Sequence, residues 1–182
     1  NAFGRDALKS NVNGSNNSAF GASSLNKNTS GKYNNAFGFK ALYSNTTGSS
    51  NNAFGYGALD SNTSGIFNNA FGRDTLTSNT RGIYNNAFGR NALSSNVLGS
   101  YNIAIGSNAG MNNEGSQHIF IGHESCSSLT NASNTLCFGG TNPLISGNFL
   151  TQRVIIDGTV VITGDLYVSG TIYEGDNAGD DS

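Results

Sequence analysis

The sequence predicts an all-β chain: a parallel β-solenoid with coils of 17 residues, completed by further copies of itself. Three observations predict it. A strict internal period runs through most of the chain, turn residues hold fixed places within each period, and the period changes near the C-terminus. The Phe of "AFG" recurs at Phe3, Phe20, Phe37, Phe54, Phe71 and Phe88, each step being 17 residues. The series continues as Ile105, Ile121 and Phe138, with one step of 16 between Ile105 and Ile121. Leu keeps the period at Leu8, Leu25, Leu42, Leu59, Leu76 and Leu93, Asn at Asn11, Asn28, Asn45, Asn62, Asn79 and Asn96, and Gly at Gly14, Gly31, Gly48, Gly65, Gly82 and Gly99. Fixed internal periods mark stacked architectures.

One copy reads roughly N-A-F-G-x-x-A-L-x-S-N-T-x-G-x-x-N. Such a length is too short for a helical hairpin with its turns and suits one solenoid coil of two short strands, "NAFG" and "AL", with two turns. Asn and Gly tolerate the left-handed backbone of tight corners. Stacked coils place equivalent side chains about 4.8 Å apart, so Phe stacks on Phe, Leu on Leu and Asn on Asn. The Phe/Ile and Leu series are the expected core. That core is thin: burying a Phe or Leu contributes roughly 1.5–3 kcal/mol, against about 1–2 kcal/mol for ordering each residue. Burial supplied by other chains, most simply three copies around one axis, makes up the difference.

"NNAFG" followed by "AL", together with "YNIAIGSNAG", resembles the head repeats of YadA-like trimeric adhesins and the related repeats of phage and viral tail fibres, over residues 1 to about 139. The resemblance implies a left-handed parallel β-roll in a homotrimer. The period is longer than in the adhesin heads and, with "SNTTG", is nearer the fibre variety.

Residues 140–152 read as a linker holding the only proline, Pro143. Hexads follow over 153–175: "VIIDGT", "VVITGD", "LYVSGT" and the shorter "IYEGD". Val154, Val160, Leu166 and Ile172 share one position, and Ile156, Ile162 and Val168 another. β-Branched and aromatic runs bounded by Gly indicate strands. Fewer than four hexads give one chain barely one coil, whereas three chains supplying one side each close a core. The segment resembles the intertwined triple β-helix of viral and phage fibre shafts. "GDLYVSGTIY" is similar to the segment that precedes a self-cleaving tail-fibre chaperone, which implies processing before a serine such as Ser182; residues 176–182 are a tail.

Composition excludes several function classes. A net charge of −2 gives no basic field for nucleic acid. No apolar run is long enough to insert in a membrane, and no signal peptide is visible. The chain begins without Met inside a repeat, which reads as a fragment or a processed product. A glycan-cleaving spike needs paired carboxylates, and the repeats before Glu114 carry only Asp6, Asp60 and Asp74. His118 and His123 flank "IFIG" without a ligand set at metal spacing. No catalytic, cofactor or metal residues are assigned, and an enzyme is not expected. Cys126 falls in the Leu slot and Cys137 in an Ala slot; both read as small core hydrophobes, with a disulfide between them as the alternative. The N-x-S/T matches at Asn13, Asn16, Asn28, Asn45, Asn62 and Asn131 are mostly explained by the turn, with glycosylation the lesser reading.

Four residues before the core Phe or Ile, Phe67, Tyr84 and Tyr101 form an expected ladder on successive coils, with Tyr33 in the same column; Phe39 and Tyr56 form a second. Phe67, Tyr84 and Tyr101 are the candidate glycan contacts, set against packing between subunits or reinforcement of the stack. The function expected is a structural fibre segment of a virion or phage tail, extracellular or on the virion surface, that spaces or displays a receptor-binding end. A bacterial trimeric surface adhesin is the alternative, and a polysaccharide-degrading tail spike the second. The partners expected are two further copies and a cell-surface glycan or receptor.

Overall fold

The structure, a computed structural model, describes residues 1–130 and 132–157. Eleven strands form one sheet in chain order: β1 (Ala2–Phe3), β2 (Ser18–Phe20), β3 (Asn35–Phe37), β4 (Asn52–Phe54), β5 (Asn69–Phe71), β6 (Asn86–Phe88), β7 (Ile103–Ile105), β8 (Ile119–Ile121), β9 (Thr135–Gly139), β10 (Pro143–Asn148) and β11 (Arg153–Ile156). Strands β1 to β9 pair parallel in the register of the repeat, as in Ala36↔Ala53 and Phe37↔Phe54. The solenoid is therefore as the period predicts.

Each coil contains one strand, not two. The "AL" segment is a turn because residues on both sides of its Ala are left-handed: Lys40 has φ +57° and Leu42 φ +53°, and Leu8, Leu25, Leu59, Leu76 and Leu93 repeat the latter. A non-glycine residue there costs roughly 1–2 kcal/mol. Burial of the same Leu, roughly 1.5–3 kcal/mol, offsets it. The coils still join through this turn, with the Leu25 amide donating to the Ala41 carbonyl at 3.0 Å. The strand then leaves the chain no room at the following Gly: a Cβ on Gly72, at φ +137°, would lie 2.7 Å from the Gly89 carbonyl oxygen.

Side chains alternate along a strand, and this fixes the core. Asn35 and Phe37 face out while Ala36 faces in. The interior consists of the strand Ala column (Ala19, Ala36, Ala53, Ala70, Ala87, Ala104) and the Leu column from Leu25 to Leu93, all fully buried. Leu8, in the first coil, is half-buried. The Phe column assigned to the core lies instead on the outer face of the chain: Phe3, Phe20, Phe71, Phe88, Ile105 and Phe138 are exposed, and Phe37, Phe54 and Ile121 half-buried. The reason is the alternation: an inward Ala obliges an outward Phe.

One coil exchanges its sizes. The Leu slot after Leu93 holds Gly110, and Phe120 on β8 takes the Ala slot while remaining fully buried. A Cβ on Gly110 would run into Phe120 Cδ2, so the Phe ring fills the space the missing Leu leaves. In the next coil Cys126 and Cys137 are joined by a disulfide, the alternative of the two sequence readings.

The expected linker at 140–152 contains β10, which pairs antiparallel with β9 and β11. Pro143 is tolerated because it opens that strand. Val154 and Ile156, assigned to the first hexad of a triple β-helix, lie in β11 of this hairpin. The hexads from Gly158 onward, and Ser182, lie outside the described residues. Among the described residues no helix is long and apolar enough to cross a membrane.

Candidate functional site

Two buried Asn ladders tie each coil to the next. In the first, Asn34 Nδ2 donates to Asn17 Oδ1 (3.2 Å) and to the Gly48 carbonyl (2.9 Å), while the Asn34 amide also donates to Asn17 Oδ1 (2.9 Å). Asn51, Asn68, Asn85 and Asn102 repeat the pattern. In the second, Asn62 Nδ2 donates to Asn45 Oδ1 (2.8 Å) and the Gly65 carbonyl (3.2 Å). Buried amides are tolerable because nearly every donor and acceptor is used. Among the described residues the exceptions are Asn96 Oδ1 and Asn113 Nδ2, an acceptor and a donor without partners where the coil shortens to 16 residues. Asn28, Asn45 and Asn62 are fully buried, so glycosylation is sterically closed to them; Asn13 and Asn16 are exposed, and Asn131 lies outside the described residues.

At the last rung of the first ladder His118 stands where the other copies have Asn. Its amide donates to Asn102 Oδ1 (3.1 Å), its Nδ1 accepts the Thr135 amide (3.3 Å), and its Nε2 lies 2.9 Å from the Ala132 carbonyl. The ring stacks on Phe120 with centroids 4.8 Å apart. Burial lowers its pKa from the usual histidine range. The sequence reading weighed His118 only as a metal ligand, found no ligand set beside it, and gave it no other role. Its ladder role was legible from the repeat, since it occupies the slot of Asn102 one coil on. Among the described residues, no three His, Cys, Asp or Glu side chains are grouped to hold a metal ion.

The outer face carries a continuous apolar column. Phe20, Phe37, Phe54, Phe71 and Phe88 stack with centroids 4.8, 4.7, 4.8 and 5.1 Å apart. Directly opposed residues share a face, so the column extends through Ile105, Ile121 and Phe138 to Ile145 and Ile156 of the hairpin. Beside it run Ser18, Asn35, Asn52, Asn69, Asn86, Ile103, Ile119 and Leu136, so neither column holds a charge.

The corner ladder is present: Phe67 and Tyr84 have centroids 4.9 Å apart, and Tyr84 and Tyr101 5.2 Å, with planes within 15°. Its rings are exposed, but their faces are spent on one another, which leaves edges and hydroxyls between rungs. A sugar ring stacks on a face, so this geometry favours reinforcement of the stack. Phe39 and Tyr56 stack likewise at 5.3 Å. Around them Lys27 and Lys40 sit over Tyr43 at 4.9 and 5.5 Å, and Arg73 over Tyr56 at 5.8 Å. Burial raises the carboxyl pKa of Asp60 here; Lys40 and Lys27 lower it and Asp74 adds to the rise. The sequence reading counted Asp60 and Asp74 among the few acids of the repeats without relating one to the other; the difference in slot between adjacent coils brings each within the other's field. Asp6 pairs with Lys9 and Asp74 with Arg73, both at the surface.

No protein-family model, curated protein or solved structure matches the chain.

Proposed function

We propose that this chain is a structural segment of a fibre, a homotrimer on a virion or phage tail that spaces or displays a host-attachment end. The observation that carries the reading is the uncovered column from Phe3 to Ile156. Eleven strands about 4.8 Å apart make it close to 50 Å long. Monomeric proteins rarely leave contiguous apolar patches beyond a few hundred Å² open. Further copies of the chain, presenting the same column in the same register, are the simplest cover. The role is structural rather than enzymatic: each coil adds length by repeating the hydrogen bonds of the one before. The Cys126–Cys137 bond supports an extracellular or virion-surface location, because disulfides persist in oxidising surroundings. The cations and hydroxyls gathered around the stacked Phe39 and Tyr56, on Lys27, Lys40, Arg73, Tyr43 and Tyr56, support polar contact with a cell-surface glycan or receptor without using ring faces, and this would serve a bacterial trimeric adhesin equally well.

Sedimentation velocity combined with light scattering tests the reading. A mass near three times 18.9 kDa with an elongated shape is expected. A monomer in solution would overturn the trimer.

A further inference from the structure

We propose that His118 is a proton-operated latch that holds the last solenoid coil and its hairpin to the rest of the rod. Elsewhere in the ladder the coupling group is an Asn, whose amide is indifferent to pH. At this rung it is an imidazole that is fully buried and bonded through both nitrogens. The Thr135 amide donates to Nδ1, so Nδ1 must be unprotonated; Nε2 then carries the hydrogen given to the Ala132 carbonyl. Both partners belong to the following coil. The latch therefore closes only in the neutral form. Protonation puts an N–H at Nδ1 against the Thr135 N–H, two donors facing each other, and leaves a charge in a dry interior.

The groups around the ring are Asn102 on the preceding coil, Gly115 and Phe120 on its own, and Ala132 and Thr135 on the next. None is charged; burial disfavours an imidazolium more than the hydrogen bonds with the Ala132 and Thr135 backbone favour it. Glu114 and His123, the nearest titratable residues in sequence, are exposed. The second Asn ladder does not reach this joint: it breaks one joint earlier, where Asn96 Oδ1 and Asn113 Nδ2 are without partners, and the slot after Asn113 holds Thr130. Fewer hydrogen bonds hold the coils here, so the loss of His118's pair weighs more.

The sign follows from the buried neutral form. Its native pKa lies below the ordinary value of 6.5, so the latch contributes fully above that value and is lost as pH falls toward the native pKa. Within that window the opening equilibrium shifts by up to about tenfold per pH unit.

Amide hydrogen exchange on the full chain, corrected for intrinsic rate, reads this directly. Protection at Thr135 is expected to fall by up to about tenfold per pH unit below about pH 6.5, while the Asn52 amide, bonded to the Asn68 carbonyl, holds. His118→Asn, which restores the ladder residue, is expected to abolish the acid step. Flat protection at Thr135 from neutral to mildly acidic pH, or the same step in His118→Asn, would overturn the latch. Should that variant not fold, nitrogen NMR of the unmodified chain decides. An Nε2–H tautomer with a pKa below the ordinary value of 6.5 is expected, and a His118 pKa equal to or above it rejects the proposal.

Discussion

At the scale of single residues, the rod depends on amides placed where most proteins put hydrocarbon. Asn62 shows what each contributes. Its Nδ2 donates to Asn45 Oδ1 and the Gly65 carbonyl, and its Oδ1 accepts from Asn79 Nδ2 at 2.9 Å. Asn62→Ala strips a partner from Asn45, Gly65 and Asn79 together. At roughly 1–3 kcal/mol for each buried group left bare, and with Asn79 keeping its second acceptor Gly82, the expected loss is at least about 2 kcal/mol in denaturant unfolding. Asn62→Asp keeps the shape but turns the donor facing Asn45 into an acceptor. Its carboxyl is held neutral in the fold, so its destabilisation should grow as pH rises above the ordinary Asp value of about 3.9. An Asp variant as stable as the parent at neutral pH would mean that water, not the ladder, satisfies this slot. The recurrence of Asn28, Asn45 and Asn62 was plain in the sequence. Their burial was not, because a turn Asn is equally at home at the surface; only the closed stack of coils separates the two.

At the scale of elements, phase rather than period was the hard part to read. The spacing of Phe37 and Phe54 established that they would stack, and they do. It left open whether the Ala or the Phe of "NAFG" points inward, since alternation permits either. The clue was the neighbouring column: the Ala slot stays small in coil after coil, as an inner wall with fixed volume requires, and it takes a large residue, Phe120, only where Gly110 vacates the Leu slot. The left-handed Leu42 was invisible for a different reason. Leu rarely adopts that conformation, and here tertiary burial overrides the local preference. The hairpin was missed because Pro143 suggested a break, although it only marks the start of β10.

The Gly110 and Phe120 pair permits a sharp test at this scale. Phe120→Ala should cost about 3–5 kcal/mol through the cavity it leaves. Gly110→Leu alone should also destabilise, because its Cβ meets the ring. Gly110→Leu with Phe120→Ala restores the Leu and Ala of the other coils, and the double variant should recover most of both losses. Strict additivity in a double-mutant cycle would show that the two positions do not share one space.

At the scale of the whole molecule, the interior and the outer face have separable duties. The buried Ala, Leu and Asn columns hold one coil to the next, and each coil contacts only its neighbours, so the stack's stability is a sum of local interfaces. The Phe column adds little to that sum within one chain, because its rings stand outside the coil. In the proposed trimer its contribution belongs to assembly. Phe54→Asp places a charge at the middle of the column, on a residue whose side chain points away from the buried Ala53. In a single chain that carboxylate stays hydrated and is tolerated. Between copies packed on this face it would be buried near its own equivalents, and like charges without partners are strongly unfavourable there. The expected outcome is a fall in mass from about three chains to one by light scattering, with the β-sheet circular dichroism unchanged. Retention of the parental mass would place the subunit contacts on another face, and the corner column of Phe67, Tyr84 and Tyr101 would then be the next to carry a charge. Loss of the sheet signal together with the mass would instead mean that coil formation and assembly are one event, with the outer Phe as necessary to the coil as the inner Leu.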